Sequence, residues 1–124
     1  MQHEFDVLKR WAELDDSQLQ KIVSDETIAI LQRVAAFLAD EVSSERAVVT
    51  KANFSSMVNE MQKRYREGSW QLGEAIIEAS DLSDQKAYGE AKDVYQRFLT
   101  NCRWKFYRDI ARSQLQKLQK RNAQ

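Results

Sequence analysis

Proline is absent from these 124 residues, glycine occurs three times, and cysteine and histidine once each. With so few of the residues that build hairpin turns and barrel corners, a sheet-rich fold lacks its punctuation, and helices joined by short polar turns are expected instead. A lone Cys102 rules out an internal disulfide, and a lone His3 rules out, within one chain, a Cys/His zinc site or a paired-histidine metal helix. Long apolar runs are missing too. Uncharged stretches such as 27–32 and 34–39 fall far short of the roughly 20 residues that a membrane helix needs. The first 16 residues carry charges where a signal peptide needs an apolar core, so the expected setting is reducing and cytoplasmic, with no membrane partner.

What is present is a globular balance. Apolar residues make up 43% of the chain and charged residues 31%, too apolar for a disordered segment, and the length suits one domain spanning 1–124. The formal charge of zero hides an imbalance. Residues 1–62 hold 6 basic and 11 acidic side chains, net −5, and residues 63–124 hold 13 and 8, net +5. Such a dipole bears on partners and not on fold.

Apolar spacing organises the chain into helices. Phe5, Leu8, Trp11 and Leu14 mark a first helix that Asp15 and Asp16 interrupt, with Asp16 or Ser17 as cap for a short segment bearing Leu19, Ile22 and Val23. Asp25 is the expected N-cap of a helix whose stripe runs through Ile28, Leu31, Val34, Ala35, Leu38 and Val42 and stops at Ser43 and Ser44. Residues 47–51 are β-branched and stay unassigned between extended link and ragged helix start. Phe54, Met57, Val58, Met61, Tyr65, Gly68, Leu72, Ala75, Ile76, Ala79 and Leu82 then follow three-and-four steps for about eight turns. Gly68 and Gly73 each cost that helix about 1 kcal/mol relative to alanine, so each marks a bend or a close approach of another helix, and close approach is expected at Gly73. Ser83-Asp84 reads as a turn, Ala87, Ala91, Tyr95, Phe98 and Leu99 as a fourth helix closed at Asn101-Cys102, and Trp104, Tyr107, Ile110, Ala111, Leu115 and Leu118 as a last helix starting near Arg103 and fraying over 121–124. The expected fold is all-α, a compact bundle of four to five antiparallel helices.

Two resemblances bear on this fold. Tyr88, Ala91, Tyr95, Phe98 and Leu99, within residues 84–99, resemble the second helix of a tetratricopeptide repeat, which implies a TPR-like hairpin in the C-terminal half without the repetition of a solenoid. Residues 26–118 are similar to the DUSAM domain, a bacterial helical family of unknown function, through residues 63–72, 91–99 and 106–115, while the link at 43–51 departs from it. That likeness implies a fold and no activity.

Catalytic equipment is not apparent. His3 reads as a solvated residue near a terminus and Cys102 as a structural thiol, although Arg103 and Lys105 beside it are of the kind that lower a thiol pKa. Glu74 and Glu78 share one helical face but lie off the apolar stripe, and the Glu-x-x-His partners of a carboxylate-bridged metal pair are missing. No phosphate-cradling glycine loop or nucleophile elbow occurs. The expectation is a non-catalytic protein without cofactor or metal.

Binding has more support. From Arg97 to Arg121 there are eight basic residues against one acid, Asp109, and Lys105, Arg108 and Arg112 share a face beside Trp104. Such a face grips phosphates or an acidic protein surface, but its leading reading is a solvated patch that complements the helix dipole or is neutralised by the acidic first half of the same chain. Zero net charge argues against nucleic acid. Trp11, Trp70 and Trp104 fall at the margins of apolar stripes, where rings either plug helix crossings or anchor interfaces. The expected function is protein binding, most specifically as an immunity protein that covers a toxin's active site, with Lys105, Arg108, Arg112 and Trp104 or the acidic Asp15, Asp16, Asp40 and Glu41 making the electrostatic match. The alternatives are a TPR-like scaffold or peptide-binding module, and nucleic-acid binding by the last helix.

Overall fold

The computed structural model describes residues 2–43 and 46–123, and the described residues form six helices. They are α1 (Gln2–Ala12), α2 (Asp16–Ile22), α3 (Asp25–Phe37), α4 (Phe54–Asp84), α5 (Tyr88–Asn101) and α6 (Lys105–Ala123). The all-α class holds, and the count exceeds the expected four to five because the short segment after the first stripe is a helix in its own right. Asp15 accepts the Gln18 N–H at 2.8 Å while the Gln18 side chain accepts the Asp15 N–H at 3.0 Å. This capping box restarts the helix. The cap is therefore Asp15, not Asp16 or Ser17, and by the same pairing Ser24 with Thr27, not Asp25, caps α3.

The long stripe folds as one 31-residue helix, α4, about 46 Å long at 1.5 Å per residue. It is the axis of the molecule and packs against each of the other five helices. Phe54, Val58 and Met61 near its start are fully buried with Leu8 of α1, Leu19 of α2, Leu31 and Val34 of α3 and its C-cap Leu38. Leu72, Ala75 and Ala79 continue that buried face in the half of α4 that pairs with α5, where Ala91, Val94, Tyr95 and Phe98 lie buried.

Close approach occurs at Gly68 and not at Gly73. A Cβ built at Gly68 would overlap the Tyr107 ring of α6, whereas one at Gly73 meets nothing within 4 Å. Tyr107 is buried there; its hydroxyl donates to the Tyr65 carbonyl at 3.0 Å and lies 2.9 Å from the Ser69 hydroxyl. Burial pushes its pKa up to about 12, with the Ser69 hydrogen bond opposing the shift.

The turn expected at Ser83-Asp84 comes later. Helix α4 continues to Asp84, and the chain reverses through Lys86 at a φ of +62°. The Ala87 N–H donates to the Leu82 carbonyl at 2.8 Å and the Lys86 N–H to the Ser83 carbonyl at 2.9 Å, the pattern of a Schellman C-cap made without the glycine that usually marks one. The last helix begins at Lys105, two residues after the expected start, and the helix runs through the tail expected to fray as far as Ala123.

Helix α3 stops at Phe37, short of Val42, which is exposed. Asp40 explains the early stop, because its carboxylate accepts the Val42 and Ser43 N–H groups at 3.0 and 3.2 Å and offers the backbone a turn in place of a helix. Of the residues expected to end this helix, Ser44 lies outside the described ones. Residues 47–49 belong to no helix. Gln32 fastens them by accepting the Val49 N–H at 2.8 Å and donating to the Ala47 carbonyl at 2.9 Å, which holds Val49 in the core.

Candidate functional site

The predicted site residues fall into two places. Asp40, Glu41, Trp104, Lys105, Arg108 and Arg112 meet in one seam between the end of α3 and the start of α6. Asp15 and Asp16 stand at the start of α2, exposed, with Asp15 engaged as its cap.

The backbone builds the seam first. Asp40 and Trp104 form an isolated antiparallel bridge, in which the Glu41 N–H donates to the Arg103 carbonyl at 2.9 Å and the Lys105 N–H to the Ala39 carbonyl at 2.8 Å. Side chains then close over it. Arg103 pairs with Asp40 at 2.8 Å, Arg108 with Glu41 at 3.2 Å, Arg112 with Glu41 through a short contact and with Asp109 at 2.9 Å, and Lys105 with Asp109 at 2.7 Å. The cations that looked free to grip a partner each hold a carboxylate of their own chain.

The pKa shifts follow the pairing. The Arg112 hydrogen bond, then the charges of Arg112 and Arg108, hold Glu41 below its ordinary value of 4.5 against the opposing effect of burial. At Asp40 burial is the largest effect and raises the pKa, but Arg103 and the Val42 and Ser43 N–H groups together outweigh it and the net shift is downward. Asp109 is lowered chiefly by the Lys105 hydrogen bond. Carboxylates lowered in the folded state contribute stability that is present above their ordinary values and lost as pH falls through the folded ones.

Two residues of the seam do more than pair. Arg108, whose side chain is 16% exposed, also donates to the Leu99 and Cys102 carbonyls, and so caps the end of α5. Arg64, on α4, donates to the Leu38 carbonyl at 2.9 Å, pairs with Glu60 at 3.0 Å and lays its guanidinium 4.3 Å from the centre of the Trp104 ring. Neither role is visible in the sequence, because Arg64 and Leu38 are 26 residues apart and the spacing around Arg64 marks only an i, i+4 pair. Cys102 is buried in the same corner, and burial pushes its thiol upward, against the lowering that Arg103 and Lys105 suggested.

The three tryptophans part company. Trp11 packs on Phe54 with ring centres 5.5 Å apart, and Trp104 lies under Arg64. Trp70 is 69% exposed on the outer face of α4, and two turns later Ile77 is 62% exposed on that same face. Beside them a groove of about 260 Å³ runs between α4 and α5, bordered by Trp70, Glu74, Glu78, Arg97 and Asn101. It is followed by a wider one of about 590 Å³ that reaches Glu90 and Asp93. The one ion pair among these, Arg97 with Glu78 at 3.3 Å, is exposed on both sides.

The remaining candidates carry no ligand geometry. His3, Glu74 and Glu78 are exposed, and the described residues contain no group of three or more His, Cys, Asp or Glu placed to hold a metal ion. No described helix is long and apolar enough to cross a membrane.

Fold and surface together define a small helical module with one internally neutralised charge cluster and one open apolar and acidic face. The chain belongs to DUF2379, a protein family of unknown function, which matches residues 2–118. No curated protein and no solved structure matches it.

Proposed function

We propose that the protein acts by binding another protein through the outer face of α4 and α5, without catalysing a reaction. The observation that carries this reading is the exposure of Trp70 and Ile77 on a helix that already buries a complete apolar stripe on its opposite side. A helix needs one such stripe to fold, and a tryptophan and an isoleucine kept exposed on the other side have the composition of an interface centre. The seam residues Lys105, Arg108, Arg112, Trp104, Asp40 and Glu41 serve this reading as the brace that fixes α6 against α3. Asp15 and Asp16 are left as a separate acidic corner.

The specific form we favour is an immunity protein that covers the active site of a cognate toxin. The TPR-like reading of Tyr88, Ala91, Tyr95, Phe98 and Leu99, within the reach of the DUSAM likeness, supports a scaffold or peptide-binding module that uses the same groove. Both forms place the partner on Trp70. The test is co-purification from the native cell with wild-type protein and with Trp70→Glu. One stoichiometric partner retained by wild type and lost by the variant is expected; a partner held equally by both removes this face from the account. Toxicity of that partner, relieved by co-expression of wild type, selects the immunity form, and a harmless partner selects the scaffold.

A further inference from the structure

The outer face of α4 repeats. Glu67, Trp70, Glu74, Ile77 and Asp81 follow one another at steps of three, four, three and four, so acid and apolar side chains alternate along a single stripe about 20 Å long. All five are exposed. Residues 67–85 contain no lysine or arginine, and across the groove α5 adds exposed Glu90 and Asp93. Among the described residues Glu67, Glu74, Asp81, Glu90 and Asp93 make no ion pair, and Arg97, engaged by Glu78, is the only cation bordering the groove.

Two physical features make this arrangement unfavourable for the chain alone. Glu67, Glu74 and Asp81 stand at i and i+7 along one stripe and repel each other, and Arg97, the cation bordering the groove, is already engaged by Glu78. Asp81 and Asp84 also sit in the last turns of α4, which has no basic residue there, although the carbonyl end of a helix favours cations by about 0.3–1 kcal/mol each. The same chain neutralises its other charge cluster thoroughly, at Glu41 and Asp40.

We infer that this stripe receives a cationic amphipathic helix of the partner, whose apolar residues at three-and-four spacing meet Trp70 and Ile77 and whose lysines or arginines meet Glu67, Glu74, Asp81, Glu90 and Asp93. Charge complementarity chooses the occupant: an acidic or neutral segment leaves the acids unanswered, and a cationic one relieves both the mutual repulsion and the clash with the α4 dipole. This rests on the protein-binding reading above and adds the chemistry of the partner's contact segment.

The test is selection of a displayed library of random 16-residue peptides on the full-length protein, with removal of peptides that also bind Trp70→Glu. The surviving peptides are expected to be enriched in lysine and arginine around apolar residues spaced three and four apart. A synthetic copy of one should shift the Trp70 indole N–H signal and lose on the order of tenfold in affinity for the Glu74→Lys, Glu90→Lys double variant and again on raising salt. Trp70-dependent peptides that are neutral or acidic, or a double variant that binds as well as wild type, would overturn the cationic inference and leave the docking face standing. Absence of any Trp70-dependent peptide would overturn both. Self-association abolished by Trp70→Glu would assign the stripe to a second copy of the chain and likewise overturn the inference.

Discussion

The seam at the start of α6 and the outer face of α4 are both rich in charge, yet they behave as opposites. In the seam every cation the sequence offered as a ligand-gripping group is held by a carboxylate, and the half-buried Arg108 also serves carbonyls of α5. On α4, among the described residues, Glu67, Glu74 and Asp81 make no ion pair around exposed Trp70 and Ile77, and Glu78 has only its exposed pair with Arg97. Density of charge along a sequence therefore says little about its availability. What separates the two regions is whether the fold brings an opposite charge within reach.

Arg108→Ala takes the guanidinium donor from the Leu99 and Cys102 carbonyls and one of the two arginines from Glu41, and should cost about 2–3 kcal/mol, a fall in melting temperature of roughly 8–12 °C by calorimetry. A loss under about 2 °C would show that the seam is ornamental.

Gly68 and Gly73 sharpen the same contrast between a packed and an open side of α4. Gly68→Ala forces the new methyl into the Tyr107 ring, and overpacking of about 1–3 kcal/mol outweighs the gain of about 1 kcal/mol in helix propensity. Gly73→Ala has only the gain and should stabilise the protein by up to about 1 kcal/mol. Urea midpoints of the two variants should move in opposite directions.

Much of the fold was legible in spacing. The three-and-four stripe of α4 is the buried face observed, and the stripe also held the answer at Gly68, which lies on it with Leu72 and Ala75, while Gly73 lies off it. Local hydrogen-bonding chemistry was harder to weigh. Val42 fits the stripe of α3, but Asp40 captures the N–H groups of Val42 and Ser43 and ends the helix first. The Lys86 turn carries no glycine to announce it. The seam was legible as two groups of residues and illegible as one site, since Glu41 and Arg108 are 67 residues apart and only tertiary packing sets that distance. Trp70 was readable as marginal to its stripe. Its acidic neighbours at seven-residue intervals were readable too, but the division into an acidic and a basic half obscured them, because seven of the eight acids of residues 63–124 lie between 67 and 93.

The most direct test is a pair of thermal melts at neutral pH. Glu41→Ala removes the carboxylate shared by Arg108 and Arg112 and should lower stability by about 1–2 kcal/mol, or roughly 4–8 °C. Because the folded pKa of Glu41 is depressed, its contribution is present above pH 4.5 and fades as pH falls below it, so the gap to wild type should narrow in acid. Glu74→Ala removes an unpaired exposed acid and should leave stability within about 0.5 kcal/mol of wild type. Equal losses at the two positions would contradict the account, for the α4 face would then be part of what holds the protein together and not a surface kept open for a partner.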